Sequence, residues 1–298
     1  MARSKQIVEV DVAGGALTVA RWRGEGPPLL LVHGISGSHH SWSRVVARPE
    51  LATFDLIAPD LRGRGASAEL PGPYGLMRHV EDLCRVIDAL GLRRVTMAGH
   101  SMGAYIGVHF ATGASRARLD RLVLVDGGVA LPLPAGVQPD ALLEKILGPA
   151  IARLSREFAS REEYLDFWRA HPAFQDEGAW NADVEAYVDY DLGGVAPHLH
   201  SRVREAAVRE DGRGPMAPEM VSLIDRIDLP TLLVTAERGL LNQAEPLMRV
   251  SAVKAKLTLN PHLQWRELAD TNHYSITLGA GAAPLAQCIA AFLGGRLG

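Results

Sequence analysis

Residues 95–110 read VTMAGHSMGAYIGVHF, and this stretch decides the fold. An apolar run typical of a strand leads into Gly99-His100-Ser101-Met102-Gly103, and a helical pattern follows. A serine on a sharp strand-to-helix turn projects its hydroxyl into open space, but the turn strains its backbone. Small residues two positions to either side leave room for the crowded chain. The stretch therefore predicts that Ser101 is a nucleophile, with a tight turn that only exposes a serine as the alternative.

Short apolar runs typical of strands alternate with helical patterns on both sides of this stretch. A hairpin over residues 7–22 turns at a Gly-Gly pair. Residues 29–32 form an unbroken apolar run, typical of a strand covered on both faces. Further strand patterns are FDLIAPDLRGRG, RLVLVDGG, LPTLLVTAERG and LQWREL. The alternation predicts an α/β fold with a mostly parallel sheet of about eight strands and helices on both faces.

The alternation stops between about Leu131 and Pro218. This segment has helical patterns with aromatic residues and Pro/Gly breaks, and no convincing buried strand. A long helical insertion between two sheet strands is typical of a cap or lid. We therefore expect a core domain formed by residues 1–130 and 219–298, and a helical cap formed by residues 131–218.

A second functional element is the stretch LVHGISG at residues 31–37, directly after a buried strand. Acyl transfer builds negative charge on a carbonyl oxygen, and two preorganised N–H groups stabilise that charge. Met102 follows the nucleophile and offers one backbone N–H; Ile35 is expected to offer the other. Gly34 lets the backbone approach closely, and His33 is expected to orient the loop.

Four motifs make the chain resemble the α/β-hydrolase family, and they occur in the family's order: LVHGISG (31–37), DLRGRGAS (60–67), MAGHSMGA (97–104) and NHYSI (272–276). The resemblance covers essentially the whole chain, with residues 131–218 at the place of the family's variable cap. It implies a serine hydrolase similar to esterases and lactonases. Epoxide and haloalkane hydrolases of this fold use an Asp nucleophile, which Ser101 disfavours. In the second motif, Asp60 and Arg62 are expected to hold loops around the site.

The base expected for Ser101 is His273, because it lies in the loop between the last strand pattern and the terminal helix. Family members usually carry Gly before this histidine, whereas Asn272 stands here. Asn tolerates the left-handed backbone conformation better than most residues, so we expect the difference to be mild.

The acid departs from the family's commonest arrangement. Gly239 stands where an Asp is expected after the strand that follows the cap. Asp126 ends the strand after the nucleophile's helix, where some family members carry the acid, and Glu237 is the alternative in the expected loop. We favour Asp126, since neighbouring strand ends open onto the same crevice. A strand-end cap without a catalytic role is the other interpretation of Asp126.

Composition narrows the range of partners. The formal net charge of −3 gives no reason to expect nucleic acid or an acidic membrane as a partner. Two distant cysteines and an N-terminus without a long apolar run favour a cytoplasmic protein.

The expected mechanism needs neither metal nor organic cofactor. We expect a small-molecule substrate as partner and leave the oligomeric state open, a homodimer included.

Aromatic residues in the insertion give the only indication of the substrate. A few of them should face the crevice and form an apolar pocket with polar groups. This favours a moderately large apolar or aromatic ester, or a lactone. Hydrolysis of an amide, thioester or carbon–carbon bond by the same residues is the alternative, and a non-catalytic ligand-binding protein is a third. The pocket candidates are Gly34, Trp42, Tyr187 and Tyr190.

Overall fold

An eight-stranded sheet runs through the centre of the computed structural model, which describes residues 3–130, 132–133 and 136–295. The strand order is β1-β2-β4-β3-β5-β6-β9-β10. Two further strands, β7 and β8, form a separate hairpin. The strands are β1 Gln6–Val12, β2 Gly15–Trp22, β3 Pro28–Val32, β4 Asp55–Pro59, β5 Val95–His100, β6 Leu119–Val125, β7 Leu192–Val195, β8 His198–Ser201, β9 Thr231–Ala236 and β10 Leu263–Leu268.

The sheet is parallel from β4 to β10, and only β2 runs antiparallel to both of its neighbours. Helices cover both faces, which explains why β3 and β5 are apolar at nearly every position and almost wholly buried. The predicted fold class is confirmed. The helices are α1 Ser43–Val46, α2 Leu76–Ala89, α3 Met102–Thr112, α4 Pro139–Leu154, α5 Arg161–Arg169, α6 Ala182–Asp191, α7 Glu205–Arg213, α8 Met220–Leu223, α9 Val250–Leu259, α10 Ser275–Leu278 and α11 Ala282–Leu293.

Two apolar clusters hold the helices to the sheet. On one face α2, α3, α8 and α9 pack through side chains such as Leu83 and Phe110. On the other face α1 and α11 pack through side chains such as Val45 and Phe292. Burying each large apolar side chain stabilises the fold by about 1.5–3 kcal/mol. The sheet between these clusters is therefore a rigid support for the loops at its edge.

The register of the sheet brings the carboxyl ends of the central strands together. His100 at the end of β5 lies beside Val125 at the end of β6, and Val125 lies beside Val234 of β9. The residues that follow β5 and β6 are Ser101 and Asp126. Because they leave neighbouring parallel strands at the same edge, they share one crevice.

The segment between β6 and β9 contains α4 to α8, but also the hairpin of β7 and β8. The prediction of an entirely helical insertion is wrong at this hairpin. Its residues LGGVAPHLHS are mostly exposed and lack the alternating apolar pattern by which a strand is recognised. Residues 131, 134 and 135 of the predicted cap lie outside the described residues. The boundaries 131–218 stay a prediction.

Within the described ranges, none of the helices combines the length and apolar character needed to cross a membrane.

Candidate active site

Ser101 sits on a strained turn between β5 and α3. Its φ and ψ are 55° and −118°, a conformation that non-glycine residues rarely adopt. A Cβ on Gly99 would collide with the backbone of Gly103, and a Cβ on Gly103 would collide with the carbonyl of Val32. The two glycines of the motif are therefore required by close backbone contacts.

Asp126 and His273 form a short hydrogen bond. His273 Nδ1 donates to Asp126 Oδ2 over 2.6 Å, and both side chains are buried. The other carboxylate oxygen, Oδ1, accepts from the backbone N–H of Ala236 at 3.1 Å. With Nδ1 occupied by Asp126, the Nε2 atom of the neutral ring is the acceptor. The carboxylate thus selects the tautomer that a general base requires.

The backbone of Asp126 is also held firmly. Its N–H donates to the carbonyl of Val234 over 2.8 Å, and its φ is 44°. The next residue, Gly127, has no room for a Cβ because the backbone of Ser101 lies against it. The Asp126-Gly127 turn therefore packs directly beside the serine turn.

Ser101 and His273 line the same cavity. Among the described residues, no hydrogen bond joins the Ser101 hydroxyl to His273. Catalytic hydrogen bonds are often long in ligand-free enzymes and tighten only with substrate. The arrangement places a hydroxyl and an imidazole on one cavity, with a buried carboxylate behind the imidazole.

The Glu237 side chain points away from His273. Its Oε2 atom accepts a hydrogen bond from the backbone N–H of Asp270 at 2.7 Å, on the exposed surface. Gly239, at the position where an acid was expected, is crowded by Gln243 and the backbone of Glu245. The structure therefore brings Asp126, and not Glu237, to His273.

Asn272 does not adopt the left-handed conformation that the sequence suggested; Asp270 does, with φ of 57°. The Asn272 side chain instead caps the turn after it. Its Oδ1 atom accepts from the backbone N–H groups of Tyr274 and Ser275 at 2.9 and 2.8 Å. Its Nδ2 atom donates to the carbonyl of Ala173 and to Asn242 Oδ1, both at 3.0 Å. Asn272 thus ties the His273 loop to the insertion.

His33 orients the loop that carries Ile35. Its Nε2 accepts from the backbone N–H of Leu61 at 2.9 Å, and its Nδ1 donates to the carbonyl of Gly34 at 2.7 Å. That carbonyl belongs to the same peptide group as the Ile35 N–H. Burial lowers the pKa of His33 to about 3, so the ring is neutral at ordinary pH. The N–H groups of Ile35 and Met102 have no acceptor among the described residues.

His100 holds the backbone of His273 through a hydrogen bond. Its Nε2 donates to the carbonyl of His273 over 2.9 Å, and the two rings lie 4.6 Å apart. Burial, and then the neighbouring His273, hold the pKa of His100 well below its usual value. The neutral ring is therefore a positioning group for His273.

The cavity over Ser101 has a volume of about 40 Å³. Gly34 and Tyr187 line it, as predicted for the pocket, together with Leu147 and Ala150 of α4, which the sequence did not single out. Position on a helix of the insertion was the only signal available for these two residues. The remaining lining residues are Ile35, Ser36, Gly37, Ser41, His100, Leu240, Tyr274, Thr277 and Leu278.

Trp42 and Tyr190 do not line this cavity, which corrects the prediction for both. Trp42 is wholly buried in the apolar cluster beneath α1 and α11. The Tyr190 hydroxyl donates to Asp60 Oδ2 over 2.6 Å, and its ring stacks on His40 at 4.4 Å. Tyr190 therefore joins the insertion to the loop after β4.

The loop after β4, residues 60–67, is rich in buried charge. Arg62 forms two 2.9 Å hydrogen bonds with the carboxylate of Asp82 in α2. Asp60 accepts from the backbone N–H of His39 at 2.7 Å. These contacts connect neighbouring loops, the role expected for Asp60 and Arg62. Within the described residues, no group of His, Cys, Asp or Glu is arranged to hold a metal ion.

Comparison with known proteins agrees with the fold described above. A family model described as the alpha/beta hydrolase fold matches residues 27–280. An uncharacterized protein of Mycobacterium tuberculosis is 37% identical over 109 residues, which are 36% of this chain and 31% of that protein. The chain therefore matches only about a third of the length of that relative.

Two longer matches extend the comparison. A protein of Azorhizobium caulinodans that bears the name of a carbamate hydrolase is 27% identical over 72% of this chain and 74% of its own length. The crystal structure of E-2-(acetamidomethylene)succinate hydrolase covers 98% of this chain and 100% of its own, with a TM-score of 0.79 and 21% identity. At that identity the structural match shows the shared fold.

Proposed function

The chain belongs to the alpha/beta hydrolase family, and on that premise we propose that it is a hydrolase that cleaves a carboxylic ester or lactone through an acyl-enzyme on Ser101. One observation carries the proposal. The buried hydrogen bond between Asp126 and His273 presents an imidazole to the cavity that also holds the strained Ser101. A carboxylate, an imidazole and a hydroxyl in this order form the machinery of acyl transfer.

The proposed first step forms the acyl-enzyme. His273 Nε2 takes the hydroxyl proton of Ser101 as Oγ bonds to the substrate's carbonyl carbon. The tetrahedral intermediate then expels the alkoxide, which receives that proton from His273. Asp126 holds the tautomer and stabilises the imidazolium while it exists. In the second step His273 deprotonates water, which attacks the acyl carbon, and Ser101 leaves with the proton.

The backbone N–H groups of Ile35 and Met102 are the proposed donors to the developing oxyanion. Both lack an acceptor among the described residues, and they lie on the two loops that meet at Ser101. A Cβ on Gly34 would lie 3.0 Å from the Cβ of Ser101, which shows how closely the loops approach. Donors that are fixed before reaction need no reorganisation as charge develops.

The proposed substrate is a small molecule with an apolar or aromatic acyl part. Leu147, Leu240, Leu278 and Tyr187 supply apolar lining, and the Ser and Thr residues around them supply a few polar groups. A cavity of about 40 Å³ is far below the roughly 300–1,000 Å³ of typical ligand pockets. A moderately large substrate therefore requires part of the lining to move, and the presence of Leu147, Ala150 and Tyr187 in that lining supports a cap role for residues 131–218.

Cleavage of a carbon–nitrogen bond is the second candidate. The relative named as a carbamate hydrolase covers most of this chain, and the same serine, histidine and oxyanion donors serve esters and carbamates alike. The leaving group differs: an amine must be protonated by His273 before it departs. Rates on a matched pair, phenyl acetate and acetanilide, decide between the two candidates.

Labelling with a fluorophosphonate tests the proposed nucleophile. We expect intact mass spectrometry to show one adduct on the folded wild-type protein and none on the Ser101→Ala variant. We expect turnover of phenyl acetate to fall by roughly four to six orders of magnitude in that variant. An unlabelled wild-type protein, or equal turnover by Ser101→Ala, would overturn the proposal.

A further inference from the structure

A cluster of buried charges lies behind the loop that carries Ile35. It consists of Arg64 after β4, His79 of α2 and Asp211 of α7, and all three side chains are fully buried. Asp211 comes from the insertion, whereas Arg64 and His79 come from the surrounding core. The proposed acyl transfer leaves these three residues without a role.

Arg64 holds the loop directly. Its Nε atom donates to the carbonyl of Ile35 over 2.8 Å, and its Nη1 atom donates to the carbonyl of Arg62 over 2.8 Å. His33 fixes the peptide group before the Ile35 Cα, and Arg64 fixes the peptide group after it. With both peptide planes held, the Ile35 N–H has a single direction.

Asp211 in turn holds Arg64. Its Oδ2 atom lies 2.5 Å from Arg64 Nη1 and 2.9 Å from His79 Nε2, and its Oδ1 atom accepts from the Gly75 N–H at 2.5 Å. Burial alone would raise the pKa of Asp211, but the charges of Arg64 and His79 and these hydrogen bonds lower it. The carboxylate is therefore ionised and compensates the buried guanidinium.

From this chain of contacts we infer that Asp211, on the insertion, is a positioning residue for the oxyanion-binding N–H of Ile35 and acts through Arg64. The inference rests on the proposed function, in which that N–H stabilises the tetrahedral intermediate. It assigns the insertion a role in the chemical step itself, in addition to covering the cavity.

Asp211 affects Ile35 because the Arg64 guanidinium is free to rotate when no carboxylate compensates its charge. Arg64 Nη2 has no hydrogen-bond partner, so within the described residues the orientation of the group depends on Asp211, Ile35 and Arg62. Removal of the carboxylate leaves a buried positive charge that must find new partners or reach water. Either movement releases the carbonyl of Ile35 and lets the Ile35–Ser36 peptide group rotate, so the Ile35 N–H is then held only from the His33 side.

The test compares Asp211→Asn with Asp140→Asn. Asp140 of α4 also pairs with α7, through Arg213 at 2.8 Å, but on the exposed surface. We expect Asp211→Asn to lower kcat about tenfold or more while KM stays within about threefold, because an oxyanion donor acts mainly in the transition state. Asp140→Asn should retain wild-type kcat.

A transition-state analogue separates positioning from stability. Inhibition by phenylboronic acid, which forms a tetrahedral adduct on the serine, should weaken in Asp211→Asn by the same factor as kcat/KM. Because a lone buried Arg64 destabilises the fold, the double variant Arg64→Met/Asp211→Asn provides a second route. It removes the buried guanidinium together with its carboxylate partner and should show the same loss of kcat and of boronate affinity.

Two results would overturn the inference. One is a folded Asp211→Asn or double variant with wild-type kcat and boronate affinity. The other is an equal loss of kcat in Asp140→Asn. Failure of the proposed function looks different, since the wild-type protein would then lack Ser101-dependent turnover altogether.

Discussion

Asp126 receives a hydrogen bond from the His273 ring on one oxygen and from the Ala236 N–H on the other. The resemblance leads one to expect a carboxylate in the loop after β9. Strand β9 instead supplies a backbone N–H donor, that of Ala236. Gln243 and Glu245 fill the space around Gly239, so an Asp at that position could not be accommodated without movement of the loop. In this protein the carboxylate that meets His273 follows β6, and β9 supplies a backbone N–H to it.

Exchange of Asp126 for Asn tests this assignment. The amide cannot hold the required tautomer, so we expect kcat for phenyl acetate to fall roughly 10³- to 10⁴-fold. Glu237→Gln is the matched control and should stay within about twofold of wild type, since the Glu237 carboxylate accepts its hydrogen bond from the exposed Asp270 turn, away from His273. Loss of turnover in Glu237→Gln with an active Asp126→Asn would reverse the assignment.

Single residues also show where a sequence pattern is enough to predict the position of a side chain and where it is not. Ser101, Asp126 and His273 could be placed because strand ends of a parallel sheet converge on one crevice. Trp42 could not, because its direction depends on the short helical turn after Ser38, which points the indole into the core. Asn272 was misjudged because its hydrogen bonds to Ala173 and Asn242 span distant parts of the chain.

Helix α4 is the element that closes the cavity, through Leu147 and Ala150. Its amphipathic pattern predicts a helix, but which core residues it covers depends on the path of the whole insertion. The strands of the central sheet were easier to predict, since unbroken apolar runs arise wherever helices cover both faces. The exposed hairpin of β7 and β8 has no such pattern and was missed.

Substitutions in α4 should change acyl-chain preference. We expect Leu147→Ala to raise kcat/KM for phenyl hexanoate relative to phenyl acetate by about tenfold, and Ala150→Leu to lower it, because one methylene in an apolar pocket is worth roughly 1–3 kcal/mol. Ile146→Ala, on the exposed side of the same helix, is the control. An unchanged preference in Leu147→Ala would show that α4 does not limit the acyl site.

The short helical turn Pro172–Phe174 in the insertion depends on a neutral histidine. His171 Nδ1 accepts from the backbone N–H of Ala173 at 3.2 Å. Burial, and then the charge of Arg153, lower the pKa of His171 to about 4. Between pH 6.5 and 4 the unfolded chain binds a proton at this histidine and the folded chain does not, so stability falls as pH falls.

His171→Asn should remove this part of the acid sensitivity, since Asn keeps an acceptor for the cap. We expect the free energy of unfolding in urea to drop between pH 7.5 and 5 by roughly 1–2 kcal/mol less in the variant than in wild type. Equal drops would mean that His171 does not stay neutral in the folded protein.

At the scale of the whole molecule, polar contacts join the insertion to the core at several places, and three of these contacts lie close to the site. Tyr190 meets Asp60, Asp211 meets Arg64, and Asn272 meets the carbonyl of Ala173. All three core partners lie on loops that carry or support proposed catalytic groups. The insertion and the site are therefore coupled energetically as well as by proximity.

Asn272→Gly, which restores the residue usual in the family, should expose this coupling. The variant loses two hydrogen bonds within the His273 loop, the one to Ala173 and the one to Asn242, so we expect a loss of roughly 1–3 kcal/mol in unfolding free energy and a lower kcat. Asn242→Gly removes only one of these partners and relieves a positive φ of 62°, and should be near neutral. A fully stable and active Asn272→Gly would show that the loop is held by other contacts.

The strained conformation of Ser101 has a consequence for the evolution of the chain. A non-glycine residue in such a rarely populated backbone conformation destabilises the fold by about 1–3 kcal/mol. Glycine adopts the same conformation freely. Ser101→Gly is therefore a stabilising substitution that deletes the proposed nucleophile. Selection for heat resistance alone would favour that loss, whereas selection for the proposed reaction would keep the serine.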